Sequence, residues 1–343
     1  MDFRGIIKGL HHVTATVNGA QEDYDFYTGV LGLRLVKETV NFDNERVYHF
    51  YYANETGSPS TVFTTFPYKG QEVRQGVAGY GQVYETAFSV PDGTLPFWRK
   101  RLKKHGLDVK DETRFGQTYL LFKDPSGLML SILEDGTDQR EPVWITEDID
   151  RNRAIRGIHH VTLAADDIDE VIAFLEPFGY NSVKNDKTRI MMKAIGNGNG
   201  NYNGNGTSNG DGNGTPTLAG KSLVVLRADG LPRGVNGIGT VHHVAHRVGS
   251  LEDSLKLKTW LEEEHGIRVT DVRNRKYFQS IYFRIPGGIL FEVATEGPGF
   301  LVDESREELG SSLKLPDWQE KSRGRIEERL PGYKKTNQGE KVS

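Results

Sequence analysis

The most informative absence in this 343-residue chain is cysteine, of which it has none. A chain without cysteine has no disulfide bond, no cysteine-ligated zinc, no iron–sulfur cluster and no thiol nucleophile. It also has no apolar run of about 18 residues, so we expect no membrane-spanning helix. The N-terminal segment lacks the long apolar stretch of a signal peptide. Together these absences predict a cytoplasmic protein.

An excess of charge of either sign is also missing. The sequence has 43 lysine and arginine residues against 47 aspartate and glutamate residues, a formal net charge of −4 at pH 7. A nucleic acid or an anionic membrane would require a basic face, so we expect neither as a partner. At about 150 residues per domain, the length allows two domains. We therefore expect a globular protein that acts on a small molecule.

Histidine is the residue type that carries most information here. Six of the ten histidines form three adjacent pairs in similar hexamers. The pairs are His11-His12 in Gly-Leu-His-His-Val-Thr, His159-His160 in Gly-Ile-His-His-Val-Thr and His242-His243 in Thr-Val-His-His-Val-Ala. Near-identical segments so far apart indicate an internal duplication.

The segments that follow these pairs share one order of elements. A short alternating strand precedes a helix-like stretch that ends near a glycine, as at Gly179 and Gly266. Strand-like runs follow, and two of them turn at Asp-Pro-Ser-Gly (124–127) and Ile-Pro-Gly-Gly (285–288). The pattern of strand, helix and three strands occurs four times. It predicts an α+β fold of four βαβββ modules paired into two barrel-like domains.

The order of the modules suggests the domain boundaries. We predict an N-terminal domain at 1–150 with modules 1 and 2, and a C-terminal domain at 151–302 with modules 3 and 4. A Gly/Asn-rich insertion at 196–216 has too little apolar surface to pack, so we expect it to be disordered. The remaining 303–343 is predicted to be a tail that wraps the surface and frays after Pro331.

One carboxylate stands out among the predicted strands. Glu292 interrupts the apolar run Ile-Leu-Phe-Glu-Val-Ala, where a lone carboxylate is costly unless it is paired or metal-bound. Two imidazoles and one carboxylate form the ligand set typical of non-haem Fe(II) oxygenases. His243 belongs to the same module as Glu292. The third ligand is His12 if module 1 pairs with module 4, or His160 if module 3 does, and periodicity leaves both open.

These features resemble the vicinal oxygen chelate superfamily, which includes glyoxalase I, bleomycin-resistance proteins and extradiol ring-cleaving dioxygenases. The resemblance is greatest to the dioxygenases that cleave hydroquinones, and the residues that carry it lie at 9–14, 241–246 and 280–295. It implies an enzyme that opens a small hydroquinone- or catechol-type ring with O₂ at an Fe(II) site, with Mn(II) as the other candidate metal. The fold often assembles, which allows a homo-oligomer.

The resemblance also assigns roles to individual residues. It implies that the metal ligands are His12, His243 and Glu292, and that the catalytic residues near the substrate are His11, His242, Arg275 and Tyr282. Thr14 shares a strand face with His12 and is a candidate substrate contact. His11 would face away from His12 on a regular strand, so its role requires a β-bulge. The other histidines, His49, His105, His246 and His265, are interpreted as structural.

Two rival functions use the same fold. A glyoxalase-type isomerase or lyase would commonly need a second carboxylate, but module 2 has Ser131 where module 4 has Glu292. A metal-free protein that binds an aromatic drug would need no His/His/Glu set. A third variant keeps this set and acts on a 2-oxo acid, as in hydroxyphenylpyruvate dioxygenases. The strand with Glu292 favours direct ring cleavage over this third variant.

Overall fold

A computed structural model describes residues 3–141, 143–195 and 217–335, so the insertion predicted to be disordered lies outside the described residues. The α-helices are α1 (Ala20–Tyr24), α2 (Leu95–Lys104), α3 (Ile168–Phe178), α4 (Leu251–Glu263), α5 (Asp317–Glu320) and α6 (Arg323–Glu327), and a π-helix (Asp25–Val30) continues α1. None of the described helices has the length and apolar character needed to cross a membrane.

Sixteen strands form in the described part of the chain. They are β1 (Leu10–Val17), β2 (Arg34–Asn41), β3 (Asn44–Ala53), β4 (Val62–Pro67), β5 (Gln82–Val90), β6 (Lys110–Arg114), β7 (Gln117–Lys123), β8 (Met129–Glu134), β9 (Gly157–Ala165), β10 (Tyr180–Asp186), β11 (Arg189–Ala194), β12 (Ser222–Arg227), β13 (Thr240–Val248), β14 (Arg273–Asn274), β15 (Gln279–Arg284) and β16 (Leu290–Thr295).

The strands form four modules of four strands each, in chain order. In every module the first strand pairs in parallel with the last, as β1 does with β4 and β13 with β16. The four modules form two eight-stranded sheets, with the orders β14-β15-β16-β13-β1-β4-β3-β2 and β10-β11-β12-β9-β5-β8-β7-β6. The predicted α+β fold of four βαβββ modules in two curled, paired units is confirmed.

The modules join through the antiparallel pairing of their first strands. Strand β1 pairs with β13, and β5 pairs with β9. Module 1 therefore shares a sheet with module 4, and module 2 shares a sheet with module 3. Each sheet takes one module from 1–150 and one from 151–302, so the division near residue 150 is a division of the sequence and is not the boundary between the sheets.

Helix α3 shows how the sequence sets the bounds of an element. The Asp167 side chain caps the N-terminus by accepting hydrogen bonds from the backbone N–H groups of Asp169 and Glu170. The helix ends at Gly179, whose φ of +117° lies in the left-handed region that favours glycine. Its apolar face, which includes Phe174 and Phe178, is buried in the core.

The C-terminal tail packs further than the sequence suggested. Leu309, Leu315, Ile326 and Leu330 are buried, as expected for a tail that wraps the surface. The expectation that the chain frays after Pro331 is wrong for the residues described beyond it. The Tyr333 ring centroid lies 5.0 Å from that of Phe50 and 5.5 Å from that of Tyr24. Tyr333, two residues beyond Pro331, thus packs against aromatic side chains of module 1.

A buried carboxyl beneath module 1 predicts a pH-dependent stability. Asp23 Oδ2 accepts hydrogen bonds from Tyr52 Oη at 2.8 Å and Thr65 Oγ1 at 2.6 Å, whereas Oδ1 has no partner. Burial raises the pKa of Asp23 to about 8, above its ordinary value of 3.8. The folded state therefore retains a proton that the unfolded state releases. The stability associated with that proton is fully present below about pH 4 and is lost as the pH rises towards 8.

We expect Asp23→Asn to have a higher Tm than the wild-type protein at pH 8, and a smaller fall in Tm between pH 5 and pH 8. The amide stays neutral at every pH and can still accept both hydrogen bonds. Thermal denaturation across this pH range would measure the difference. The exposed Asp25 provides the control, since Asp25→Asn should leave the wild-type pH dependence unchanged. An equally steep fall in Asp23→Asn would contradict the prediction.

Candidate metal centre and its cavity

The histidine pairs of modules 1 and 4 lie on bulged strands. The β1–β13 register shifts between Leu10 and His12, and shifts again opposite His242. A bulge inserts one extra residue and re-aims its side chain. As a result, His11 Nδ1 lies 2.9 Å from His12 Nδ1, and His242 Nδ1 lies 2.7 Å from His243 Nδ1. The bulge that would place His11 beside His12 is therefore present.

The second histidine of each pair meets Glu292. The Oε2 atom of Glu292 lies 2.7 Å from His243 Nε2 and 3.2 Å from His12 Nε2, and the two Nε2 atoms are 3.3 Å apart. Within the described residues, these three form the group that could hold a metal ion. The sequence left His12 and His160 open as the third member. The structure brings His12 to the group because module 1 pairs with module 4, whereas His160 lies in the other sheet.

The donor set fits a divalent cation. Glu292 is completely buried, and neither of its oxygens has a hydrogen-bond partner of acceptable geometry. A buried carboxylate without such partners is stabilised by a cation. Three ligand atoms on one face of an octahedral ion, with bonds of about 2.1 Å, would lie about 3 Å apart. The distances among the three atoms, 2.7 to 3.3 Å, are close to this value.

Burial sets the protonation states that a metal ion requires. It lowers the pKa of His243, and it lowers the pKa of His11 to about 3. Burial would raise the pKa of Glu292, but its two histidine neighbours hold this pKa well below the ordinary value. The carboxylate is thus ionised and the imidazole rings of His11 and His243 are neutral, which is the state in which these groups coordinate metals.

The preceding histidines orient the metal-facing rings. When Nε2 of His12 and of His243 binds a metal, Nδ1 of each ring must carry the proton and donate a hydrogen bond to Nδ1 of the preceding histidine. A ligand histidine commonly donates its second N–H in this way, which fixes the ring tautomer. The arrangement leaves His11 and His242 with Nε2 as their remaining N–H donor. The doublet of histidines is thus one structural unit.

A cavity of about 190 Å³ opens beside the three residues. All of its walls come from modules 1 and 4. Its lining residues are His12, Asn41, Phe42, Asp43, His49, Tyr51, Phe66, Tyr68, His242, His243, Arg275, Phe278 and Tyr282. The cavity is smaller than the ~300 Å³ at which drug-sized ligand sites begin, and it suits a single substituted ring.

Arg275 and Tyr282 form a polar wall of this cavity. Arg275 Nε donates to Tyr282 Oη at 3.2 Å, and its Nη1 donates to Asp43 Oδ2 at 3.0 Å. Tyr282 lies opposite Glu292 in the β15–β16 ladder. Burial raises the pKa of Tyr282, which keeps its hydroxyl protonated. The wall therefore presents a guanidinium that is paired with the Asp43 carboxylate, and one neutral hydroxyl.

Other candidate residues occupy positions that the sequence did not indicate. Thr14 is completely buried and is not a lining residue, but it accepts a hydrogen bond of 2.8 Å from Thr64. His49, interpreted from the sequence as structural, lines the cavity together with Tyr51. The alternation His49-x-Tyr51 on one strand face was a signal for this pair. It could be read only once β3 was known to border the metal site.

Strand register makes positions in different modules comparable. Ala245 lies opposite Glu292 in module 4, and Ala87 lies opposite Ser131 in module 2. Ser131 is therefore the counterpart of Glu292, as the alignment of the two turns suggested. By the same register, Glu85 in module 2 is the counterpart of His243.

The second sheet contains an ion pair where the first has its candidate metal site. Arg114 Nη1 donates to both oxygens of Glu85, at 2.8 and 2.9 Å, and Ser131 Oγ donates to Glu85 Oε1 at 2.6 Å. Glu85, Arg114 and His160 are all buried. A guanidinium thus supplies, from within the chain, the positive charge that balances the buried carboxylate.

Comparison with known proteins agrees with the architecture. The sequence model of the Glyoxalase/Bleomycin resistance protein/Dioxygenase superfamily matches residues 9–132 and 157–293. The chain belongs to this superfamily. The two matched ranges coincide with modules 1 and 2 and with modules 3 and 4, so the internal repeat is a repeat of the superfamily's own unit.

Several members of the superfamily are similar to this chain over nearly their whole length. MhqE of Bacillus subtilis (strain 168), which is named as a ring-cleaving dioxygenase, is 42% identical over 94% of this chain and 98% of its own. The chlorohydroquinone/hydroquinone 1,2-dioxygenase of Sphingobium indicum is 37% identical over 90% of this chain and 91% of its own.

A crystal structure from Bacillus subtilis, of a protein named as a dioxygenase, superposes with a TM-score of 0.85. It is 39% identical to this chain and covers 96% of it and 98% of its own length. Glyoxalase I from Zea mays superposes with a TM-score of 0.58 at 14% identity, and covers 84% of this chain and 92% of its own. The second comparison shows a shared fold alone. The similarity in sequence lies with ring-cleaving dioxygenases.

Proposed function

We propose that this superfamily member is an extradiol-type dioxygenase that opens a hydroquinone- or catechol-type ring with O₂ and depends on Fe(II), with Mn(II) as the alternative metal. The observation that carries the proposal is the completely buried Glu292 carboxylate, whose Oε2 lies within 3.2 Å of the Nε2 atoms of His12 and His243, two histidines that line an aromatic cavity. Two imidazoles and one carboxylate with open positions are typical of non-haem Fe(II) oxygenases. The names of the relatives agree with this proposal.

The residues of the site have different proposed roles. His12, His243 and Glu292 would hold the metal, which when bound supplies Lewis-acid activation of a phenolic oxygen and a position for O₂. The Arg275 guanidinium would stabilise negative charge on the ring oxygens. The Tyr282 hydroxyl and the Nε2–H groups of His242 and His11 are the proposed donors from which a proton can pass to an oxygen of the substrate. Tyr282 and His242 line the cavity, whereas His11 does not. Thr14, the candidate substrate contact, does not line the cavity and would act through its hydrogen bond with Thr64.

One further position separates ring cleavage from an isomerase reaction. In module 4, Glu292 lies opposite Ala245, two residues after the ligand His243. In module 1, Thr64 lies opposite Thr14, two residues after His12. Thr64 is therefore the module 1 counterpart of Glu292. It supplies a hydroxyl where a second carboxylate ligand would stand. A site with one carboxylate favours the dioxygenase over the glyoxalase-type alternative.

Metal analysis and oxygen uptake test the function directly. We expect protein purified without oxygen to contain close to one iron or manganese per chain. We also expect it to consume one O₂ per molecule of methylhydroquinone or chlorohydroquinone, with catechol as the comparison substrate. Zinc or nickel without oxygen uptake would favour the isomerase. The absence of bound metal, together with tight binding of an aromatic ligand, would favour a binding protein.

A further inference from the structure

Arg275 in the cavity wall has a counterpart in the second sheet. The ladders that align Ser131 with Glu292 also align Arg114 with Arg275, each at the turn of the hairpin before the last strand of its module. The residue after each arginine has a positive φ, +51° in module 2 and +64° in module 4. The two hairpins therefore turn in the same way, and the internal duplication accounts for both arginines.

The two arginines reach different places. Arg114 enters the centre of its sheet, where it donates to both oxygens of Glu85, the counterpart of a proposed metal ligand. Its Nη2 also donates to Glu112 in the same strand, which does not hold it back. Arg275 stays at the cavity wall, where its Nη1 donates to Asp43 Oδ2 at 3.0 Å. These directions are fixed, because a guanidinium has only donors. One position in the fold thus allows a guanidinium either to balance a buried carboxylate or to line the cavity.

Asp43 lies in an extension of the module 1 hairpin β2–β3. The ladders align His49 in this hairpin with Arg189 in the module 3 hairpin β10–β11, since Thr64 and Val224 occupy the same position in β4 and β12. In module 3 the chain turns directly before Arg189. In module 1 the hairpin continues beyond His49 to a turn that contains Asp43. The described hairpin of module 3 therefore has no counterpart of Asp43.

The extension holds Asp43 at the mouth of the cavity. Its residues Asn41, Phe42 and Asp43 all line the cavity, and the Asp43 side chain is 65% exposed. Asn41 Oδ1 accepts a hydrogen bond from the backbone N–H of Asp43 at 2.9 Å, and Asn41 Nδ2 donates to Tyr68 Oη at 3.3 Å. The ring centroids of Phe42 and Trp318, which belongs to the tail, are 5.6 Å apart. These contacts place the carboxylate without the help of the guanidinium, so it serves as a fixed anchor.

A guanidinium at the centre of the first sheet would compete with a metal ion. Glu292 is completely buried, and either positive group would balance its charge. We propose that Asp43 is a positioning residue, which holds Arg275 at the cavity wall and keeps it out of the candidate metal site. The second sheet supports this proposal, because its arginine has no such anchor across the sheet and has turned inwards to Glu85. The inference rests on the proposed function, since the site that Asp43 protects is the one that would hold the metal.

Metal binding tests the inference without substrate or oxygen. We expect Asp43→Ala to bind Mn(II) about 5-fold more weakly than the wild-type protein in calorimetric titrations, the effect of losing one partly exposed ion pair. Adding Arg275→Met should restore the wild-type affinity, because no guanidinium is then free to enter the site. Arg273→Met provides the matched control. It removes an equal charge from an exposed arginine of the same hairpin and should not restore the affinity of Asp43→Ala.

The crystal structure of the metal-free variant gives a second readout. In Asp43→Ala the Arg275 guanidinium should lie at hydrogen-bond distance, about 3 Å, from Glu292, as Arg114 does from Glu85. Unchanged Mn(II) affinity in Asp43→Ala, equal recovery with Arg273→Met, or a guanidinium that stays at the cavity wall would overturn the inference.

The outcomes separate this inference from the proposed function. Oxygen uptake with hydroquinones, combined with a Mn(II) affinity that Asp43→Ala does not change, would overturn the inference and leave the function standing. Mn(II) binding that weakens in Asp43→Ala and recovers with Arg275→Met, in a protein that consumes no O₂, would leave the inference standing and overturn the function. A wild-type protein that binds no metal would overturn both.

Discussion

Replacing Glu292 with glutamine is expected to remove the bound metal and lower oxygen uptake by more than about 100-fold, since even residues that only orient metal ligands contribute 10- to 100-fold. The amide has nearly the same shape as the carboxylate but has no charge to balance the cation. The side chain is completely buried, so water cannot replace the lost ligand without rearrangement. Metal content per folded chain and the rate of oxygen uptake with methylhydroquinone measure the two effects.

His160 supplies the matched control for this experiment. It is the counterpart of His12 in the other sheet, is equally buried, and has the same contact with a preceding histidine, at 2.7 Å from His159. We expect His160→Asn to retain the metal content and oxygen uptake of the wild-type protein, whereas His12→Asn should lose both. Loss of metal in His160→Asn with retention in His12→Asn would place the site in the second sheet and refute the assignment.

Replacing Arg114 with alanine is expected to lower the free energy of unfolding by about 3–5 kcal/mol, the range for breaking a buried ion pair by removing one partner. The change would leave the Glu85 carboxylate, which is 2% exposed at its side chain, with the Ser131 hydroxyl and without its cation. Urea denaturation would measure the loss. The metal content of the folded protein should remain unchanged, because Arg114 lies in the sheet that does not contain the candidate site.

Two further variants determine whether the loss comes from the unpaired charge. Arg114→Met combined with Glu85→Leu removes both charges and should recover most of the stability, since apolar pairs often replace buried ion pairs at little cost. Arg99→Ala breaks an ion pair with Asp111 whose partners are 32% and 51% exposed, and should cost about 1 kcal/mol or less. A loss in the double variant as large as in Arg114→Ala would show that the charge is not the cause.

The sequence predicts the repeated features of this molecule well and the pairing between repeats poorly. The histidine doublets and the turns at 124–127 and 285–288 define four modules because each repeats a local pattern. Which modules share a sheet depends on the antiparallel contact of first strands, and the first strands of modules 1, 3 and 4 share the same His-His-Val motif. For this reason, periodicity could pair His243 with Glu292 but could not choose between His12 and His160.

The cavity walls show a second limit of sequence-based prediction. Arg275 and Tyr282 could be predicted from the resemblance to a family. His49 and Tyr51 could not, because a histidine and a tyrosine two residues apart are common in a strand. Their significance depends on register. Tyr51 lies opposite Thr64 in the β3–β4 ladder, and Tyr282 lies opposite Glu292 in the β15–β16 ladder. Because Thr64 is the module 1 counterpart of Glu292, this register is needed to recognise Tyr51 as the counterpart of Tyr282.

The order in which the modules pair has a consequence for folding during synthesis on the ribosome. Modules 2 and 3 follow one another along the chain and can close their sheet while synthesis continues. Module 1 must wait for module 4, since His12 and His243 are separated by 231 residues. Until β13 emerges, β1 has an unpaired edge that other chains could join. The candidate metal site is therefore completed only after the fourth module has been synthesised.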